Sequence, residues 1–81
     1  MKTRARQLGI TEFPYSEFDE NGNLTYREYS SGTWSKREYD NNDNLTYREY
    51  SDGWWSKRGY DDKSNQTYWE NSHGYKIYYI L

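Results

Sequence analysis

The stretch Phe18-Asp19-Glu20-Asn21-Gly22-Asn23-Leu24-Thr25-Tyr26-Arg27-Glu28-Tyr29-Ser30-Ser31-Gly32 returns as Tyr39-Asp40-Asn41-Asn42-Asp43-Asn44-Leu45-Thr46-Tyr47-Arg48-Glu49-Tyr50-Ser51-Asp52-Gly53. A looser third copy runs from Tyr60 to Gly74, so the period is 21 residues. A fixed period of this size marks a stacked array, in which each unit is one supersecondary element that completes its packing against its neighbours. The chain divides into a basic N-terminal arm (residues 1–12) and one repeat domain (13–81) with units of about 18–38, 39–59 and 60–81.

Each unit is written in hairpin grammar. Leu24-Thr25-Tyr26-Arg27-Glu28-Tyr29 and Thr33-Trp34-Ser35-Lys36-Arg37-Glu38-Tyr39 are rich in Tyr, Thr and Trp, and Ser30-Ser31-Gly32 lies between them. Short aromatic and β-branched runs punctuated by Gly, Asn and Asp form strands and tight turns. Asn21-Gly22, Asp52-Gly53 and His73-Gly74 are such turns, and they recur too often for even three helical turns. The expected fold is an all-β antiparallel meander of tandem hairpins, a single-layer or curved sheet with strands near 13–18, 24–30, 33–39, 45–51, 54–60, 66–72 and 75–81. The arm is expected to be extended or to form one short helix.

Composition restricts how such a sheet is held together. The 81 residues lack Val and Cys, aliphatic residues are few, and the apolar area must come from eleven Tyr, four Trp and two Phe. A ring buries roughly 150–250 Å² while Tyr and Trp keep a polar edge in water. Without cysteine there is no disulfide framework or thiolate metal site, and no run approaches the roughly 20 apolar residues that span a bilayer. The first residues also lack the apolar stretch of a secretion signal, so a soluble, cytoplasmic protein is expected. Lys2, Arg4 and Arg6 make the arm basic and leave the repeats acidic, with eight cations against thirteen carboxylates.

Two registers follow from the turn lengths. Two-residue turns at Ser31-Gly32, with three-residue turns at Asn41-Asn42-Asp43, put Leu24, Tyr39, Leu45, Tyr60, Gln66 and Leu81 in one row. Beside it run Tyr26, Arg37, Tyr47, Arg58, Tyr68 and Tyr79, an aromatic and guanidinium alternation that favours this register through cation–π contact. The opposite face then carries Tyr29, Trp34, Tyr50 and Trp55 beside Arg27, Lys36, Arg48 and Lys57, a cationic stripe that repels itself unless a partner covers it. A three-residue turn at Ser30-Ser31-Gly32 instead sets Trp34 opposite Glu28 and Lys36 beside Tyr26, which removes the stripe.

The units Phe18-Asp19-Glu20-Asn21-Gly22-Asn23-Leu24-Thr25 and Tyr39-Asp40-Asn41-Asn42-Asp43-Asn44-Leu45-Thr46, each followed by Ser-x-Gly-x-Trp, resemble the tandem repeats of small phage and prophage proteins. They are similar also to the YD repeats of bacterial polymorphic toxins, whose many-repeat sheets wrap a cargo. Three repeats cannot enclose anything, and Asp43 and Ser64 replace Gly22 in the later copies. The phage resemblance implies an accessory protein that binds and inhibits a host enzyme or an anti-phage defence complex.

Residues with catalytic chemistry are sparse. His73 is the only histidine and takes the turn position of Ser31 and Asp52; Asp61-Asp62 sits in a predicted turn, where Asp caps its own backbone rather than calcium. Glu28, Glu49 and Glu70 recur at the repeat period, as copies of one environment do. There is no phosphate-cradling loop and no nucleophile elbow. These features point to a non-enzymatic module without cofactor or metal, binding a protein partner through Tyr29, Trp34, Tyr50, Trp54, Trp55, Trp69, Arg27, Lys36, Arg48 and Lys57, since Tyr, Trp and Arg dominate interface hot spots. Single-stranded nucleic acid, which stacks on aromatic platforms, is the alternative, and it requires a segregated cationic face because the net charge is −2. Carbohydrate binding on exposed rings is a third reading. The apolar last strand, 75–81, is a template for homodimerisation at the sheet edge.

Overall fold

The computed structural model describes residues 3–79. One short helix, α1 (Arg4–Gln7), precedes seven strands: β1 (Tyr15–Phe18), β2 (Leu24–Glu28), β3 (Trp34–Tyr39), β4 (Leu45–Tyr50), β5 (Trp55–Tyr60), β6 (Gln66–Asn71) and β7 (Lys76–Tyr78). They pair antiparallel in chain order as one open sheet. The expected meander and the short N-terminal helix are both present. Residues 80–81, the end of the expected last strand, and Leu81, the end of the expected aliphatic row, lie outside the described residues.

Both edges of the sheet are turned by the same device. At the first edge, Tyr29 N–H donates to Thr33 O and Gly32 N–H to Tyr29 O, closing a three-residue loop whose last member, Gly32, has φ +92°. At the other edge Asp40 N–H donates to Asn44 O and Asp43 N–H to Asp40 O, and Asp43 takes the left-handed position with φ 64°. A turn ending in one left-handed residue is a favoured three-residue hairpin connection. The Asp that opens the second type of loop is locked by its own side chain: Asp40 Oδ1 accepts from the N–H of Asn42 and Asn44, each at 2.9 Å, and Oδ2 accepts from Asn44 Nδ2 at 3.2 Å. Asp19 and Asp61 repeat this pattern. In all three, the hydrogen bond from the backbone N–H of the Asn four residues on (Asn23, Asn44 or Asn65), chiefly, holds the carboxyl below its usual range. Successive loops are tied together where Asn23 Nδ2 donates to Asp43 Oδ1 at 2.8 Å and Asn44 Nδ2 to Ser64 Oγ at 2.9 Å.

The register is the three-residue one. Glu28 faces Trp34 and Tyr26 faces Lys36, which corrects the two-residue reading that paired Tyr29 with Trp34 and Arg27 with Lys36. A second correction comes from a bulge in each hairpin with an Asp loop. Tyr39 faces Leu45 as expected, but Glu38 faces Tyr47 and Arg37 faces Arg48, so one residue of β4, Thr46, is extra. Thr25 and Thr67 are the equivalent extra residues. The hydroxyls of Thr25 and Thr46 donate to the carbonyls of Glu17 and Glu38, both at 3.2 Å, anchoring the inserted residue to the neighbouring strand. A bulge changes the phase of the in/out alternation, and Tyr47 therefore leaves the face that Leu45 occupies.

There is almost no interior. Ala5 and Tyr26 are the buried apolar residues among those described, and the molecule measures 47 × 30 × 15 Å. Its accessible surface is 5924 Å² for 10.0 kDa, above the roughly 5,200 Å² expected of a compact protein of that mass. Half-buried aromatic rings and half-buried strand arginines replace a core.

The turn geometry generates a paired prediction. Gly53 has φ +97°, so Gly53→Ala places a Cβ in a left-handed residue and should cost about 1 kcal/mol. Gly59 lies in β5 without positive φ, and a Cβ there meets Thr67 Oγ1 and Tyr68 Cβ at an ordinary 3.4 Å, so Gly59→Ala should be neutral or mildly stabilising. Thermal unfolding should show Gly53→Ala lowered by roughly 4–8 °C and Gly59→Ala not lowered.

Candidate functional site

The register and the three bulges sort charge between the two faces. Following the cross-strand pairs, Glu17, Glu28, Glu38, Glu49 and Glu70 fall on one side with Lys36, Lys57 and Lys76. Arg27, Arg37, Arg48 and Arg58, all the arginines of the strands, fall on the other, where no strand carboxylate lies. We call these the glutamate face and the arginine face.

On the arginine face, Arg37 stands directly opposite Arg48, and Arg58 opposite Trp69. Arg27 Nε donates to Ser16 Oγ at 3.1 Å, and Arg48 Nη1 donates to Tyr50 Oη at 3.3 Å. The Nε atoms of Arg37, Arg48 and Arg58 are covered and have no acceptor. Ser35 and Ser56, which alternate with the arginines, are buried. Aromatic side chains end the same strands. Tyr50 and Trp54 contact each other with ring centroids 5.5 Å apart and border an open hollow of about 640 Å³ with Asp52, Gly53, Ser72 and His73. A neighbouring hollow of about 300 Å³ is bordered by Tyr29, Ser35, Arg37 and Tyr50. Trp69 borders a third, of about 370 Å³, with Arg58, Gln66, Ile77 and Tyr79.

The glutamate face repeats a Tyr-x-Glu clamp along single strands. Tyr26 Oη donates to Glu28 Oε1 at 2.7 Å, Tyr47 Oη to Glu49 Oε1 at 2.8 Å, and Tyr68 Oη to Glu70. Tyr15 Oη donates to Glu17 Oε2 at 2.7 Å. Burial first, and then the hydrogen bond to the carboxylate, pushes Tyr26 and Tyr47 up to about 12; for Tyr68 the bond to Glu70 leads, with the same result of about 12. The ammonium groups of Lys36 and Lys57 lie over the rings of Trp34 and Trp55, 5.1 and 5.2 Å from their centroids.

Helix α1 covers one end of this face. It stops in a loop in which Ile10 N–H donates to Ala5 O and Gly9 N–H to Arg6 O, with Gly9 left-handed. Ala5 N–H donates to Glu28 Oε1 at 3.1 Å, Arg4 forms a 2.7 Å ion pair with Glu17, and the Arg4 guanidinium sits 4.4 Å from the Tyr26 ring centroid. Burial pushes the Glu28 carboxyl up, but the hydrogen bonds it accepts, with the charge of Arg6, outweigh this and hold it below its usual range.

The ten candidate partner-binding residues are divided between the two faces. Tyr29, Tyr50, Trp54, Trp69, Arg27 and Arg48 share the arginine face, whereas Trp34, Trp55, Lys36 and Lys57 belong to the glutamate face. Arg37 and Arg58 join the first group without having been singled out, because the bulge at Thr46 and Thr67 moves the Tyr residues away from them. Among the described residues no three His, Cys, Asp or Glu side chains gather as metal ligands, and no helix is long and apolar enough to cross a membrane. No family model, curated protein or solved structure matches the chain.

The clamps make the protein sensitive to alkali. A tyrosine with a raised folded value contributes stability that is present below about pH 10 and lost as pH rises toward about 12. A phenolate absorbance titration should show a group of tyrosines ionising near 12, accompanied by unfolding. Glu49→Gln should move Tyr47 part of the way back toward 10, burial still holding it up; an unchanged Tyr47 would mean that the clamp has no influence.

Proposed function

We propose that the chain is a non-enzymatic protein-binding module whose arginine face receives an acidic surface of its partner. The observation that carries this reading is the gathering of Arg27, Arg37, Arg48 and Arg58 on one face without a strand carboxylate, among Tyr29, Tyr50, Trp54 and Trp69. Guanidinium groups laid over a sheet keep several N–H donors for carboxylates, and Tyr, Trp and Arg supply most interface hot spots. The phage resemblance makes a host enzyme or a defence complex the partner class, with inhibition as the outcome. Single-stranded nucleic acid is the second reading. The same segregation supports it, because phosphate binding needs a cationic face even on a chain of net charge −2.

Affinity capture from nuclease-treated host lysate separates them. A specific protein should be retained by the wild type and released by Arg48→Ser or Trp54→Ala, each weakening it roughly thirtyfold if that side chain is a hot spot. Asp62→Ala, in a loop at the other edge, should retain it. Capture that vanishes with nuclease, and an affinity for oligonucleotides that falls steeply between about 50 and 200 mM salt, would replace the protein reading by the nucleic-acid one.

We further propose that β7 pairs with a second copy at the sheet edge. Tyr75, Ile77, Tyr78 and Tyr79 are all exposed there, and an apolar edge strand is a template for another chain. Light scattering should give a mass near twice 10.0 kDa, and Ile77→Lys should return it to one chain; a wild-type monomer would refute the pairing.

A further inference from the structure

The helix α1 occupies a cradle that the repeat makes twice. In the first copy, the groups beneath the helix are Glu17, Tyr26 and Glu28, with Trp34 facing Glu28 across the strands and stacked on Tyr26 at 6.2 Å between centroids. One period later the same positions hold Glu38, Tyr47, Glu49 and Trp55, joined by the same pairings of Glu38 with Tyr47 and Glu49 with Trp55. The clamp is also reproduced, since Tyr47 Oη presents the Glu49 carboxylate as Tyr26 Oη presents that of Glu28. The two copies differ in cover. Glu28 is 0% exposed beneath Ala5, whereas Glu38 is exposed and Tyr47, Glu49 and Trp55 are half-exposed. The third copy is broken, with Gly59 in place of the first glutamate and Lys76 in place of the tryptophan.

We propose that the second cradle, formed by Glu38, Tyr47, Glu49 and Trp55, binds a short basic helix of a partner protein that carries Arg followed by a small residue. The chemistry of the occupant is set by the first cradle. There the guanidinium of Arg4 bonds Glu17 and covers the Tyr26 ring, and the small side chain of Ala5 lets its N–H reach the Glu28 carboxylate. A guanidinium would meet Glu38 and Tyr47 in the same way, and a first-turn N–H, free of any helical acceptor, would meet Glu49. Lys36 stands where the first copy has Tyr15, but its ammonium is directed over Trp34, 5.1 Å from the ring centroid. The site lies on the glutamate face, so it is independent of the reading given to the arginine face.

A synthetic peptide of residues 1–12, added to the isotopically labelled full chain, tests the proposal. Saturable amide shifts should appear at Tyr47 and Glu49 and at the Trp55 indole, and Glu38→Gln, which leaves the Tyr47–Glu49 bond intact, should weaken binding by roughly tenfold, as should Glu49→Gln or a peptide with Arg4→Ala. Shifts confined to Tyr26, Glu28 and Trp34, meaning that the peptide only displaces α1, would overturn it. So would the absence of saturation at millimolar peptide, or a dimer of the free chain that Glu38→Gln dissolves, since the occupant would then be a second copy.

Discussion

The three-residue turn with a left-handed last residue is the constraint on which the rest of this structure depends. Gly22, Gly32, Gly53 and Gly74, with Asp43 and Ser64, hold that position at both edges of the sheet. A one-residue change of register sends every side chain of a strand to the opposite face. With the turns fixed, the extra threonines, Thr25, Thr46 and Thr67, change the phase once more within each hairpin of the Asp type. The two devices together place every strand arginine on one face and every strand glutamate on the other. Alternate signs could not have been separated so fully by a regular ladder.

What holds the sheet together is correspondingly local. A fold that buries only Ala5 and Tyr26 as apolar residues among those described draws little on a hydrophobic interior. It relies on cross-strand backbone pairing, on the Asp-locked loops stitched by Asn23 to Asp43 and Asn44 to Ser64, and on the Tyr-x-Glu clamps. These bonds repeat with the sequence, as expected for an array whose units interact chiefly with their neighbours. The N-terminal helix is the exception. It covers Glu28 and Tyr26, the buried residues of the glutamate face among those described, by inserting a backbone donor and an arginine into a cradle that the next unit leaves exposed.

Much of the fold was legible in the sequence because periodicity and turn chemistry are local signals. The 21-residue spacing and the Gly and Asn punctuation locate all seven strands to within about two residues at the starts, and the equivalence of Leu24, Leu45 and Gln66 follows from it. The pairing was legible only as two alternatives, and the cation–π alternation of Tyr26, Arg37 and Tyr47 pointed to the wrong one. That argument failed because it assumed unbroken ladders, and nothing in Leu45-Thr46-Tyr47 distinguishes a bulged Thr from a paired one. The candidate binding residues were consequently chosen by type and not sorted between the faces. The docking of Arg4 and Ala5 on Glu17, Tyr26 and Glu28 joins elements between 13 and 23 residues apart and leaves no local mark.

Cross-strand proton contacts measured by NMR test the central claim, that turn and bulge together segregate the charges. Contacts should link Glu28 with Trp34, Tyr26 with Lys36, and Glu38 with Tyr47, with Thr46 unpaired. Contacts linking Tyr29 with Trp34, Arg27 with Lys36, and Arg37 with Tyr47 would contradict it, because an unbulged ladder with two-residue turns would return the arginines to both faces.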